Sequence, residues 1–114
     1  MIFVFGSNRE GRHGKGAALF ARQKYGAIYG QAEGLQGNSY AIITKELRYK
    51  YPSVTLKEVE DGITKFLVFA NLRPELTFSV SPIGCGLAGF TPKQIAPFFK
   101  NKPNNVLIPP EFEL

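Results

Sequence analysis

Apolar and polar positions alternate along this chain between two rhythms. Ile2-Phe3-Val4-Phe5 is an unbroken apolar run and reads as a buried strand. Ala17–Tyr25 is rich in Ala, Leu, Arg, Gln and Lys and reads as a helix, with Gly26 where its C-terminal cap belongs. Ala27 to Asn38 holds many glycines and few bulky residues, so a loop is expected, with Ile28-Tyr29 able to pair briefly. Ser39–Thr44 (SYAIIT) reads as a second strand. Thr55-Leu56-Lys57-Glu58 fits a capping box, and Val59, Ile63, Phe66, Leu67 and Ala70 follow at helical spacing. Thr77–Ser81 (TFSVS) alternates as a strand does. Thr91-Pro92-x-Gln94 supplies an N-cap, a proline at the first helical position and a capping partner; Pro97 limits the helix that follows. Asn105–Ile108 reads as a last strand. Strands alternating with helices predict an α/β layered fold.

Composition narrows the setting. At 114 residues the chain predicts one compact domain, residues 1–114, without repeat or linker. A hydrophobic share of 44% excludes general disorder. The opening MIFVFGSNREG is too short in apolar residues for a signal peptide, and no run approaches the roughly 20 apolar residues of a membrane span. Cys85, the single cysteine, cannot form an internal disulfide, which makes a reducing cytoplasm the expected compartment. With one histidine and one cysteine, no metal site is expected. The net charge of +5 suits nucleic acid or an anionic small ligand, and the basic residues are scattered rather than clustered. Asp61 is the only aspartate, so carboxylates for chemistry are few.

Two glycine loops carry the candidate chemistry. Gly6-x-x-x-x-Gly11 begins like a P-loop, but Arg12-His13 stand where a lysine and a hydroxyl residue are required, which excludes that nucleotide-hydrolase motif. Gly84-Cys85-Gly86-Leu87-Ala88-Gly89 matches the dinucleotide fingerprint, yet the helix start at Thr91-Pro92 lies beyond it. Too little chain follows for a further βα unit and a ribose-binding acid. Each loop nevertheless leaves a strand and enters a helix. Free amides and the helix dipole favour an anion there, and glycine lets the backbone come close. Two such loops could clamp a diphosphate; they could equally be tight turns.

The stretches FVFGSN…GRHGKGAALFA, SYAIITK and FSVSPIGCGLAGF together resemble the macrodomain pattern in order, spacing and strand context, over most of the chain from Ile2 to about Phe99. The nearest likeness is to the subgroup of terminal ADP-ribose glycohydrolases and the antitoxin that removes ADP-ribose from DNA. The resemblance implies an ADP-ribose pocket on a mixed central sheet between flanking helices, with no cofactor. In it Gly14, Lys15, Gly16 and Ala17 would line the proximal ribose and diphosphate. Ile83, Gly84, Cys85 and Gly86, continuing through Leu87, Ala88, Gly89 and Phe90, would cover the distal phosphate and ribose. Ser7 and Asn8 fall near the asparagine that touches the distal ribose in many members; an Asn turn is the other reading of Asn8. Phe90 would pack on a ribose or base, or else in the core. His13 would meet ligand phosphate or solvent, while Arg9, Arg12 and Lys15 steer the anion.

Lys45 matches the subgroup's lysine that contacts or attacks the anomeric carbon, and Arg48 or Lys15 would be the cation that lowers its pKa. Cys85, beside no catalytic dyad, is not expected to act as a nucleophile. The chain departs from the pattern in three places. Ala88 stands where glutamate-deconjugating members carry an acid, with Glu46, Glu10 and Glu33 as the substitutes to consider. The usual first strands are missing, so the fold is expected to be truncated at its N-terminal side. No aspartate precedes Asp61 to hold the adenine amino group. The expected partner is thus ADP-ribose, or an ADP-ribosylated protein or nucleic acid, and not a membrane. Lys45-assisted removal of ADP-ribose, non-catalytic reading or sequestration of the signal, and direct nucleic-acid binding are the three functions in contention.

Overall fold

The structure is a computed structural model that describes residues 1–47 and 53–113. Its centre is strand β1 (Ile2–Asn8), which runs parallel to β3 (Ser39–Lys45) on one side and to β4 (Phe78–Val80) on the other. Beyond β4 lies the short parallel β5 (Val106–Leu107), and beyond β3 the antiparallel β2 (Gly34–Gln36). The order β2-β3-β1-β4-β5 makes a mixed five-stranded sheet, as an α/β fold requires.

Helices cover both faces, which explains why β1 is apolar without alternation. Helix α1 (Gly16–Lys24) brings Ala18 and Ala21 onto Phe5 and Ala41, with Phe3 at the margin. On the opposite face Val4, Tyr40 and Ile42 meet Val59, Ile63 and Phe66 of α2 (Leu56–Asn71), together with Phe78 and Val80 of β4. Successive residues thus point to opposite faces, and each fully buried aliphatic or Phe side chain contributes about 1.5–3 kcal/mol. Helix α3 (Pro92–Ile95) continues into a 3-10 turn over Ala96–Phe99, the shortening foreseen from Pro97.

Both expected capping boxes form. The Thr55 hydroxyl oxygen accepts from the Glu58 amide while the Glu58 carboxylate accepts from the Thr55 amide; Thr91 and Gln94 repeat the exchange at α3. At the far end of α2, the Asn105 carboxamide donates to the carbonyls of Ala70, Arg73 and Leu76, tying the strand β5 edge to the helix terminus.

The stretch from Ala27 to Asn38 is not all loop. Strand β2 forms within it, and Ile28-Tyr29 stays unpaired and exposed. Gln36 is the organiser: nearly buried, its carboxamide accepts from the Ile28 amide at 2.8 Å and donates to the Gln31 carbonyl at 3.1 Å. Such a strand is held by polar side-chain bonds rather than by apolar alternation, so no hydrophobic rhythm announced it.

Candidate functional site

The loops that leave the parallel strands run to opposite faces of the sheet. The one after β1 enters α1, whereas the ones after β3 and β4 enter α2 and α3 on the other face. A crevice opens where neighbouring loops part in this way, at the carboxyl ends of the strands. Here it is a cleft of about 680 Å³.

One wall is the turn into α1. Asn8, almost buried, donates from Nδ2 to the Arg12 carbonyl at 2.8 Å and accepts at Oδ1 from the Arg12 amide at 2.9 Å. Its carboxamide therefore closes the turn, which is the Asx-type role rather than a hand extended to a ligand. Gly14, Lys15, Gly16 and Ala17 line the cleft and are exposed. A Cβ on Gly14 or Gly16 would meet nothing within 4 Å, so ligand atoms can approach the backbone here. No side chain caps α1, and its first turn has no acid, in contrast to the capping boxes of α2 and α3. Its first residues thus line the cleft at the positive end of the helix dipole, with no side-chain cap on their amides.

The facing wall is the loop after β4. Ile83, Gly84, Gly86, Leu87 and Ala88 line it. The turn is closed by Phe90 N donating to the Gly84 carbonyl at 2.8 Å and Gly89 N to the Gly86 carbonyl at 3.1 Å. Gly84 and Gly89 adopt φ of +76° and +88°, which an L side chain rarely takes. Gly86 is open, with nothing within 4 Å of an added Cβ. Between the walls, Gly6 crosses the floor, where a Cβ would come within 3.1 Å of Thr44 Oγ1. Lys45, half-buried at the end of β3, completes the lining.

Several expected site residues stand elsewhere. His13 is fully buried under the α1 turn, with its ring edge-on to Phe5 at 5.3 Å. It meets neither solvent nor the cleft, since its ring packs against those of Phe5 and Tyr29. Phe90 is buried in the main core, the packing alternative for that ring. Cys85 turns back, its thiol donating to the Ile83 carbonyl at 3.5 Å, and burial raises its pKa, with the Glu111 charge adding to the effect. That is the opposite of an activated thiol. Ser7 is buried, donating to the Asn8 carbonyl, and Gly89 shapes the turn without lining the cleft. Arg48 lies outside the described residues.

The cations and acids segregate. Arg12, Lys15 and Lys45 line the cleft, while among the described residues no Asp or Glu does. Glu46 pairs with Arg9 at 3.8 Å, Glu10 accepts from the Leu47 amide at 3.1 Å, and Glu33 pairs with Lys65 at 3.0 Å on a separate surface hollow. Arg9 itself is drawn off to Glu46 and Glu58. Tyr29, Thr44, Ser81 and Leu47 are cleft residues that pattern reasoning missed. Only Tyr29, an aromatic in a glycine-rich segment, left any signal in the sequence.

No protein-family model, curated protein or solved structure matches this chain. Among the described residues no helix is long and apolar enough to cross a membrane, and no cluster of three or more His, Cys, Asp or Glu could hold a metal ion.

Proposed function

We propose that this protein binds ADP-ribose, or a closely related nucleoside-diphosphate sugar, in the cleft at the carboxyl ends of β1, β3 and β4. One observation carries the reading: two open glycine walls, one of them an uncapped helix N-terminus, enclose three cations and no described carboxylate. Such a surface repels acidic side chains and attracts a compact polyanion, whose oxygens the backbone amides can reach. The macrodomain likeness of the same two loops supports a diphosphate flanked by sugars.

A lining without acids among the described residues favours a reader over a hydrolase. Breaking a glycosidic linkage calls for a group that protonates the leaving atom or activates water, and Glu10, Glu33 and Glu46 are each held outside the cleft. Lys45 keeps a second reading open, because it lines the same cleft and an amine can act as a nucleophile at an anomeric carbon. A reducing, cytoplasmic setting accords with the single, inward-turned Cys85.

Calorimetric titration with ADP-ribose tests the assignment. Binding in the micromolar range, about −8 kcal/mol, is expected for the wild type. No heat and no thermal shift would overturn the pocket. With Lys45→Ala, lost binding makes the lysine a clamp. Retained binding with lost release of ADP-ribose from modified protein or DNA makes it the nucleophile. Single-stranded DNA serves as the contrast, since binding through many phosphates falls steeply with salt while a single diphosphate responds shallowly.

A further inference from the structure

The polar side chains of the cleft divide into two groups. Asn8 spends both ends of its carboxamide on the Arg12 backbone. Thr44 donates to the Ser7 carbonyl at 3.2 Å, and Ser81 donates to the Val4 carbonyl at 2.7 Å. Among the described residues the cationic lining groups Arg12, Lys15 and Lys45 can only donate, whatever else they contact, and Tyr29 is the remaining polar lining side chain. A cleft of this kind can grip phosphate, yet among the described residues it holds no carboxylate or uncommitted carboxamide to read the hydrogen-bonding edge of a base.

Tyr29 offers a different kind of contact. It is the one aromatic side chain among the described cleft residues, and 56% of its surface is exposed. Arg22 sits over its ring, 5.4 Å from the centroid, and His13 stands beside it at 6.4 Å. Its position is set by the backbone, not by burial. Gly30 N donates to the Gly11 carbonyl at 2.8 Å, pinning the Tyr29 segment against the turn that leads into the phosphate wall. An exposed ring held by a rigid neighbour and backed by a guanidinium is a stacking platform, and every nucleobase presents a π-face to it.

We propose that Tyr29 holds the base of the bound nucleotide by stacking, and that the site accepts nucleoside-diphosphate sugars with little regard to which base they carry. The inference rests on the diphosphate-sugar reading of the cleft and names its base subsite. Affinity and selectivity are then separated by chemistry. The glycine walls and cations supply the first through the diphosphate, and the π-face adds to it without discriminating.

The test compares ADP-ribose with the GDP, CDP and UDP analogues of the same sugar, and with inorganic pyrophosphate as a base-free probe, by calorimetry. The four nucleotide sugars are expected to bind within about tenfold of one another. Tyr29→Ala is expected to weaken all four by about 5- to 100-fold, the range of one base–aromatic stack, and to leave pyrophosphate unchanged. Tyr29→Phe, which keeps the ring and loses the hydroxyl, should bind as the wild type does. ADP-ribose binding more than thirtyfold tighter than the other three, or indifferent to Tyr29→Ala, would overturn base-blind stacking and leave the diphosphate-sugar pocket standing. Failure of every nucleotide sugar to bind would remove both.

Discussion

Gly11 and Gly30 pass so closely that a Cβ on Gly11 would stand 2.6 Å from the Gly30 carbonyl carbon, while Gly30 N donates to the Gly11 carbonyl at 2.8 Å. This contact joins the turn after β1 to the segment after α1, and Tyr29 lines the same cleft as the glycine wall at the start of α1. Gly11 also adopts φ of +67°. Gly11→Ala therefore meets both backbone strain and overlap with main-chain atoms that cannot swing aside. It is expected to cost about 2–4 kcal/mol, read as a lowered denaturation midpoint in urea. A variant as stable as the wild type would show that the two segments are not locked together.

Gly14 and Gly86 are the opposite case. Neither has a positive φ, and an added Cβ meets nothing within 4 Å at either position. Gly14→Ala and Gly86→Ala are expected to leave stability within about 0.5 kcal/mol, or to raise it slightly by restricting the unfolded chain. In the proposed binding mode the same methyl groups would stand where ligand oxygens approach the backbone. Tenfold or greater loss of ADP-ribose affinity at unchanged melting temperature is the expected result. Unchanged affinity in both variants would move the diphosphate out of the cleft.

His13 gives the protein an acid-side weakness. Burial, reinforced by the Arg22 charge, holds its imidazole below the ordinary value of 6.5, although the Gln31 main chain acts the other way. That main-chain group lies close enough to favour the charged form but not in full hydrogen-bonding geometry to either ring nitrogen. The unfolded chain then takes up a proton that the folded chain refuses. Stability is full above about pH 6.5 and falls as the pH drops toward the depressed folded value. Across this range the stability of the wild type relative to His13→Phe, read from thermal melts, should fall as the pH drops. A parallel offset at every pH would place the titration elsewhere.

Tyr40 does the same on the alkaline side. Its hydroxyl is pushed up to about 12, chiefly by burial and secondarily by the Glu33 charge. Its ring packs against Phe66 at 4.9 Å and Phe69 at 5.3 Å. The neutral phenol is the folded form, so its contribution is complete below the ordinary value of 10.0 and is lost as pH climbs through about 12. Ultraviolet titration should show a tyrosine step at about 12 that Tyr40→Phe removes. A titration in which Tyr40→Phe removes no such step would show that the ring is not enclosed as described.

Much of this arrangement is legible from residue order. The unbroken apolar run at Ile2-Phe3-Val4-Phe5 marks a buried strand, and the structure covers it on both faces with α1 and α2. The boxes at Thr55 and Thr91 place two helix starts, because capping chemistry acts between residues three apart in sequence. The glycines at 14, 16 and 86 mark where backbone lies bare, whereas the buried Gly84 shapes its turn with a positive φ. Strand β2 escaped because its support is the side chain of Gln36, which imposes no apolar rhythm.

Local chemistry, then, is what the amino-acid order alone determines: element type, helix starts and the positions where only glycine is comfortable. Which way a side chain faces is decided by contacts distant in sequence. His13 and Phe90 sit in loops that look ready for a ligand, yet Phe5 and the main core claim them. Asn8 and Arg12 are four residues apart, but only the folded turn commits the carboxamide to the backbone. The gathering of Arg12, Lys15 and Lys45 on one cleft, with the nearby glutamates held off by Arg9, Lys65 and the Leu47 amide, exists only because parallel strands carry their loops to a common edge. Charge along a chain is a count, whereas a binding field depends on distance and on what lies between, and tertiary packing sets both.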